Sequence, residues 1–359
     1  METFSGNLKI LQQKQGKLLK PQKQKRRMKK GIWIILFGFV LLGVIAAVLL
    51  FSSQKKEMIP QETGTMDLFF CPKDGCEEKL MHALNEAKET IHCAFYDLTL
   101  NKTKSLLKNK KMQGIETEII VDRENYKKIK EYDFAIQAKN KALMHNKFCI
   151  IDNNNIITGS MNPTTNDAEE NNNNLIIISS LYLAKNYEAE FQEMQEGIYG
   201  KGKKTLYNRI IFNNNTLENY FCPEDQCEKH VLEELSKARQ TIFFMTFSFT
   251  SENIAKMLEE KVQQRVKVQG ITEAQRMSRK EEQGRRLQEN GVDVLPDNNK
   301  HLLHHKVFII DNTTVIFGSY NPTDAANTKN DENILIINDK AIAEKFSNEF
   351  ERLRGDQQE

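Results

Sequence analysis

The residues best suited to catalysis in this chain of 359 residues form a polar string that occurs twice. Residues 143–164 and 302–323 align without a gap at an offset of 159, with 13 identities in 22 positions. The shared positions are His145, Lys147, Asp152, Gly159, Ser160 and Asn162 in the first copy, and His304, Lys306, Asp311, Gly318, Ser319 and Asn321 in the second. Two histidines can supply a base and an acid near neutral pH, because the unperturbed pKa is about 6.5. Lysine charge and asparagine amide donors complete a set typical of nucleophilic and acid–base catalysis.

Both copies have the spacing His-x-Lys, four residues, Asp, six residues, Gly-Ser-x-Asn. These strings resemble the double HKD signature of the phospholipase D superfamily, and the resemblance covers residues 66–355. The resemblance implies an α/β fold class, with two similar phospholipase D-like α/β halves in one chain. It also implies one active site between the halves, which acts on phosphodiesters without a metal ion or other cofactor.

The resemblance gives the two histidines different roles in one reaction. A neutral imidazole attacks phosphorus and forms a phosphohistidine, and a protonated imidazole gives its proton to the leaving oxygen. We favour His145 as the nucleophile and His304 as the general acid, and the reverse assignment stays open. The groups predicted to stabilise the phosphate oxygens are Lys147, Lys306, Asn162 and Asn321.

The remaining shared positions are interpreted as supporting residues. Asp152 and Asp311 end their strands and are expected to hold loop backbone. Gly159 and Gly318 would let the backbone approach a ligand closely. The hydroxyl groups of Ser160 and Ser319 would assist the asparagines. His305, beside His304, is interpreted as a surface or packing residue.

One position breaks the symmetry of the two halves. In the resembled family a glutamate eleven residues after the Gly-Ser-x-Asn asparagine orients a catalytic histidine. Glu332 stands there in the second half, whereas the first half has Asn173. An amide can orient an imidazole but cannot balance its positive charge, so the two histidines should differ. Glu169 or Glu170 is the expected substitute carboxylate.

A cysteine motif also repeats, at residues 70–77 and 221–228. An oxidising compartment favours the local disulfides Cys71–Cys76 and Cys222–Cys227, and a zinc site made from these four cysteines is the alternative. The other two cysteines, Cys93 and Cys149, are expected to be small core residues with free thiols.

The amino-terminal region predicts a membrane anchor. Gly31–Phe51 is uncharged and long enough to span a bilayer. Ten basic residues precede it and only Lys55 and Lys56 follow closely, so the positive-inside rule predicts a single-pass protein with a cytoplasmic amino terminus and an extracytoplasmic catalytic part. The predicted organisation is a basic tail at 1–30, an anchor at 31–51, and phospholipase D-like domains at 66–198 and 205–355.

Charge and location guide the choice of substrate. Residues 56–359 contain 40 basic and 48 acidic residues, and this acidic balance argues against a nonspecific nucleic-acid binder. The favoured function is a phospholipase D-type hydrolase acting on the phospholipid membrane as a monomer. The alternatives are a membrane-anchored nuclease cleaving DNA or RNA, a phosphatidyltransferase similar to cardiolipin synthases, and an inactive phosphate-binding scaffold.

Overall fold

The computed structural model describes residues 37–38 and 59–355. The chain divides into one unit at residues 1–58 and another at residues 59–359, and the second unit contains both copies of the polar string. Apart from Phe37 and Gly38, the predicted basic tail and membrane anchor lie outside the described residues. Within the described ranges, no helix combines the length and apolar character needed to cross a membrane.

The strands up to residue 179 are β1 Gln61–Glu62, β2 Met66–Cys71, β3 Thr90–Phe95, β4 Glu116–Val121, β5 Ala135–Gln137, β6 Lys147–Ile151, β7 Asn155–Gly159 and β8 Asn173–Ser179. All but β1 form the seven-stranded sheet of the first half, in the order β2-β8-β7-β6-β3-β4-β5. The α-helices are α1 Cys76–Asn85, α2 Asn101–Met112, α3 Thr165–Glu169 and α4 Leu181–Gln195, with a 3₁₀ turn at Tyr126–Lys128.

The second half repeats this arrangement with the strands β9 Arg209–Phe212, β10 Asn215–Cys222, β11 Thr241–Thr246, β12 Lys267–Thr272, β13 Asp293–Pro296, β14 Lys306–Ile310, β15 Thr314–Gly318 and β16 Glu332–Asn338. The second half joins them with β1 in a nine-stranded sheet of order β1-β9-β10-β16-β15-β14-β11-β12-β13. Its helices are α5 Cys227–Lys237, α6 Glu252–Gln263, α7 Ala274–Met277, α8 Gln283–Glu289, α9 Asp324–Thr328 and α10 Lys340–Gly355. The chain therefore has the mixed α/β fold that its sequence predicts.

Helices α4 and α10 lie between the two sheets. The ring of Tyr187 on α4 is 4.9 Å from Phe148 of the first sheet and 5.0 Å from Phe221 of the second, measured between centroids. Phe346 on α10 contacts the second sheet and also Phe70 of the first, at 5.2 Å. Burial of such rings stabilises the fold by roughly 2–3 kcal/mol each. The two halves consequently share one apolar core.

All six cysteines are paired in the structure. Cys71 ends β2 and is joined to Cys76 at the start of α1, and Cys222 is joined to Cys227 at the same place in the second half. The expectation of free thiols at the other two positions is wrong. Cys93 and Cys149 form a disulfide because β3 and β6 are antiparallel in a register that places these residues opposite each other, with 4.0 Å between their Cα atoms.

Candidate active site

Strands β6 and β14 position the histidines and lysines of the repeated motif. Each strand is buried along its whole length and begins at the lysine, so the histidine lies two residues before it, on the same face. The Lys147 ammonium group donates to the carbonyl of His145 at 2.6 Å, and Lys306 donates to the carbonyl of His304 at 2.7 Å. These contacts fix each lysine next to its own histidine.

Backbone pairing between the halves brings the two histidines into one site. His145 donates its backbone N–H to the carbonyl of Asp331 at 2.9 Å, and His304 donates to the carbonyl of Asn172 at 2.7 Å. Asn172 and Asp331 are equivalent positions of the repeat, 159 residues apart. Each histidine segment is thus held by the other half, and the lysine of each half acts electrostatically on the histidine of the other.

A buried glutamate from the second half contacts His145. The Nδ1 atom of His145 lies 2.7 Å from Oε2 of Glu332. The same carboxylate oxygen accepts a hydrogen bond from the hydroxyl of Ser319 at 2.8 Å. The family expectation for Glu332 is that it orients a histidine, and the histidine that it contacts belongs to the other half.

The carboxylate beside His304 is Asp167, a residue that the sequence pattern did not single out. Its Oδ2 atom lies 3.4 Å from Nδ1 of His304, and its carboxyl group is buried. The expectation of Glu169 or Glu170 is wrong. The carboxylate of Glu170 contacts His301 at 3.0 Å, and the side chain of Glu169 is exposed.

The two halves exchange the position of this carboxylate. Adding 159 to Asp167 gives Ala326, and adding 159 to Asn173 gives Glu332. Asn173 donates to the carbonyls of Asp167 and Asn171, so it holds helix α3, which carries the aspartate, and the loop after it. The paired substitutions were visible in the aligned repeat, but their relation depends on the loop after α3, which the repeat alone does not reveal.

Asn162 is tied to the same aspartate. Its backbone N–H and its side-chain amide both donate to Oδ2 of Asp167 at 2.7 Å. Asn171 donates to the other carboxylate oxygen at 2.6 Å. Asn321 has no such carboxylate, because its half has Ala326 there. The amides of Asn162 and Asn321 therefore have different surroundings, and only the former is engaged by an aspartate at this position.

The supporting residues act on neighbouring backbone. Asp152 accepts from the N–H groups of residues 88–90, and Asp311 from those of residues 239–241. Ser160 accepts from the N–H group of Asn174. Gly159 has φ +141°, and a Cβ atom there would lie 2.4 Å from the carbonyl oxygen of Asn174. The close approach at Gly159 is to strand β8, and Gly318 repeats it against Asn333.

Burial controls the ionisation of the central groups. It lowers the pKa of His145 well below its usual value and that of His304 to about 4, and the neighbouring lysines add to both effects. It also lowers the pKa of Lys147 to about 8 and raises that of Glu332 to about 8. Neutral imidazoles are thus favoured in the free enzyme, and an arriving phosphate anion would stabilise the protonated forms.

An arginine and an aromatic ring add asymmetry on the His304 side. The guanidinium group of Arg276 lies 4.1 Å from the ring centroid of Phe247, which itself contacts the ring of His304. Tyr96 occupies the corresponding place beside His145. Arg276 lies in a mixed-charge stretch after β12, where no sequence signal separates it from its basic neighbours.

His305 is a packing residue of the shared core. It is fully buried, and its Nδ1 atom lies 2.9 Å from the amide nitrogen of Asn174 in the other half. Its repeat equivalent, Asn146, accepts a hydrogen bond from Asn333 at 2.7 Å. These two contacts are symmetry-related links between the halves.

One carboxylate cluster in the described part of the chain has the size of a cation site. Ligand atoms of Glu190, Glu193 and Glu224 lie within 4.8 Å of one another. Burial raises the pKa of Glu190 and that of Glu224, the latter to about 7, so this cluster holds a proton near neutral pH. The four cysteines of the zinc alternative are engaged in disulfides and offer no thiolate.

Comparison with known proteins places this geometry in a family. The family described as "Cardiolipin synthase, PLD-like domain" matches residues 80–195 and 231–354, which is more than half of the chain. The chain belongs to the phospholipase D superfamily. Both matched segments contain one complete His-Lys-Asn set, and the protein is a phospholipase D-like hydrolase.

Individual relatives are similar over part of the chain. The phospholipase D of Rickettsia conorii is 30% identical over 140 residues, which cover 39% of this chain and 70% of that protein. The mitochondrial cardiolipin hydrolase of Xenopus laevis is 34% identical over 135 residues, which cover 37% of this chain and 64% of that protein. The phosphatidylserine synthase structure from Haemophilus influenzae Rd KW20 has a TM-score of 0.63 at 11% identity, covers 80% of this chain and 86% of that one, and shows a shared fold.

Proposed function

We propose that this protein hydrolyses membrane phospholipids as a phospholipase D-type enzyme, through a phosphohistidine intermediate. The observation that carries the proposal is one site with two buried histidines, each with a carboxylate at Nδ1 and a lysine from its own strand. The ionised form of Glu332 favours the His145 tautomer with its proton on Nδ1, which leaves the Nε2 lone pair free to attack phosphorus. Because burial raises the pKa of Glu332 to about 8, the fraction in this form grows as the pH rises towards 8.

The proposed reaction has two displacements at phosphorus. Nε2 of His145 attacks, the bond between phosphorus and the headgroup oxygen breaks, and protonated His304 donates its proton to the leaving alcohol. His304 then removes a proton from water, the hydroxide oxygen bonds to phosphorus, and the bond to His145 breaks, which releases phosphatidic acid. Lys147 and Lys306 stabilise the negative charge on the non-bridging oxygens in both steps.

His145 is the proposed nucleophile because its partner is the closer one. Glu332 lies 2.7 Å from His145, whereas Asp167 lies 3.4 Å from His304 and is shared with Asn162 and Asn171. A tightly bound carboxylate stabilises the imidazole through the covalent intermediate. The other imidazole must gain and lose a proton in each cycle, which suits a looser partner.

Phospholipid is favoured as the substrate by three observations. Relatives carry the names phospholipase D and cardiolipin hydrolase. Residues 56–359 are net acidic, unlike a nonspecific nucleic-acid binder. The apolar segment at 31–51 would hold the catalytic unit at a membrane surface, with the amino terminus in the cytoplasm.

The test compares substrates in the presence of a chelator. Full-length protein in detergent is incubated with phosphatidylcholine or cardiolipin vesicles, and separately with single- and double-stranded DNA. We expect headgroup release, with trapping of a phosphatidyl group on histidine that His145→Ala abolishes. Cleavage of DNA alone would overturn the proposal in favour of a nuclease. Added ethanol would reveal transfer by forming phosphatidylethanol in place of phosphatidic acid.

A further inference from the structure

A cavity of about 570 Å³ beside the active site is lined by four lysines. They are Lys139, Lys141, Lys201 and Lys329, all exposed to solvent. Within residues 59–355 none of them forms an ion pair with a carboxylate. Four ammonium groups around one cavity repel each other, and this arrangement favours an anionic ligand. We call this site the lysine cavity.

Three segments from both halves build the lysine cavity. One precedes His145, one is the linker between the halves, and one precedes Glu332. The backbone N–H of Gly200 in the linker donates to Oδ1 of Asp331 at 2.6 Å. Gly200 has φ +64°, and a Cβ atom there would lie 2.8 Å from the carbonyl oxygen of Lys329. The linker can therefore close this wall only with glycine.

The pseudo-symmetric cavity in the other half has mixed charge. It has a volume of about 380 Å³, and its basic residues, Lys73 and Arg352, stand with the acidic Glu170 and Asp297. In the repeat, Asn298 is the equivalent of Lys139, and Glu170 is the equivalent of Lys329. The repeated fold therefore produces the cavity twice but requires no lysine at these positions. Of the two cavities, the lysine cavity alone has an excess of positively charged side chains.

Asp331 links the lysine cavity to the catalytic histidine. Its carbonyl accepts from His145, and it precedes Glu332, the partner of His145. Its Oδ2 atom is buried without a hydrogen-bond partner, and burial raises the pKa of this carboxyl to about 8. A protonated carboxyl can donate a hydrogen bond to a phosphate oxygen. Lys141 is four residues from His145, which limits their separation to about 14 Å of extended backbone.

We propose that the lysine cavity binds a second phosphate group of the same lipid whose reacting phosphodiester lies at His145 and His304. The substrate class is then a phospholipid with two phosphates, such as cardiolipin, in which glycerol bridges them. This inference rests on the proposed phospholipid hydrolysis and deepens it. A nucleic-acid strand also carries successive phosphates, but the net acidic catalytic unit favours a local contact over an extended strand.

The test removes charge from the cavity and leaves the catalytic residues intact. The variant is Lys139→Gln with Lys141→Gln, which keeps most of each side-chain stem. The matched control is Lys300→Gln, at the repeat position of Lys141 in the other half. Turnover is measured on cardiolipin and on phosphatidylglycerol, in vesicles of equal surface charge, so that general attraction to an anionic membrane is constant.

We expect the KM for cardiolipin to rise about 10-fold or more in the double variant, because charged hydrogen bonds are lost, while kcat holds. Turnover of phosphatidylglycerol should be unchanged, as should both activities of Lys300→Gln. An equal loss on both lipids, or no loss on either, would overturn the inference and leave phospholipid hydrolysis standing. If the unmodified protein cleaves a single-stranded oligonucleotide and no lipid, both the inference and the proposed function fail.

Discussion

Asp167 and Glu332 show that the two motif histidines, His304 and His145, each have a carboxylate partner, from positions that are not equivalent in the repeat. Asp167 reaches His304 from helix α3, and Glu332 reaches His145 from the start of β16. Ser160 occupies the position of Ser319, which donates to Glu332. The hydroxyl of Ser160 would therefore be placed to donate to a glutamate at residue 173, as Ser319 donates to Glu332.

This compensation predicts a rescue. Asp167→Ala should lower kcat by about 100-fold, because it removes the carboxylate that orients His304 and balances its positive charge. Adding Asn173→Glu recreates the Ala326 and Glu332 arrangement in the first half and should recover at least about 10-fold of the loss. The measurement is kcat over a range of pH, with Asn173→Glu alone as the control. A double variant no more active than Asp167→Ala would contradict the exchange.

Asp152 and Asp311 give a prediction about pH and stability. Hydrogen bonds from three backbone N–H groups to each carboxylate lower its pKa below 3.8. A carboxyl whose folded pKa is depressed stabilises the protein above its unfolded pKa, and this contribution is lost as the pH falls through the folded value. Asp311→Asn should therefore lower the free energy of unfolding by about 1–2 kcal/mol at pH 7.

The check is urea unfolding at pH 7 and at about pH 3 for the unmodified protein, Asp152→Asn and Asp311→Asn. The difference between unmodified protein and each variant should shrink at the lower pH, since the native carboxyl group begins to protonate there. A deficit that is the same at both pH values would mean that the substitutions act through packing and not through charge.

At the scale of elements, the cysteines show what a sequence repeat can and cannot predict. The motif at residues 71–76 and 222–227 is local, and the expected oxidising compartment favoured the short disulfides that the structure contains. Cys93 and Cys149 are 56 residues apart, and their contact depends on the register of β3 against β6. A strand shifted by one residue turns its side chains to the other face, and no local pattern fixes that register.

The second half replaces this disulfide by an aromatic pair. Phe244 and Phe308 stand opposite each other on β11 and β14, with ring centroids 6.1 Å apart. Each half therefore fills the same space between its central strands, one covalently and one by packing. The general position of β6 and β14 was predictable from their apolar runs, whereas the covalent link was not.

The disulfides should differ in their effect on stability according to the loops that they close. Replacing Cys93 and Cys149 by alanine should lower the free energy of unfolding by about 4 kcal/mol from the lost loop constraint, with a further cost from the cavity. Replacing Cys71 and Cys76 removes a much shorter loop and should cost about 2 kcal/mol. Denaturant unfolding of both double variants checks the order. A reversed order would show that the disulfides do not stabilise the protein mainly by constraining the unfolded chain.

At the scale of the whole molecule, each half completes the active site of the other. Glu332 supports His145, Asp167 supports His304, and the backbone pairs formed by Asp331 and Asn172 repeat the exchange. Helices α4 and α10 and the interfacial asparagines bury this junction. The repeat predicted two similar halves, but which residue crosses to which histidine follows only from how the halves pack.

A site completed within one chain predicts that two defective chains cannot help each other. His145→Ala and His304→Ala should each lose at least about 1,000-fold in kcat, because each removes one partner of a unit that acts together. Mixing the two purified variants should restore nothing, since every chain still lacks one histidine of the site between its halves and the shared apolar core holds those halves together. Turnover of the mixture is compared with that of each variant at the same total concentration. Recovery that grows with protein concentration would instead show that chains exchange halves, and the active unit would then be a dimer.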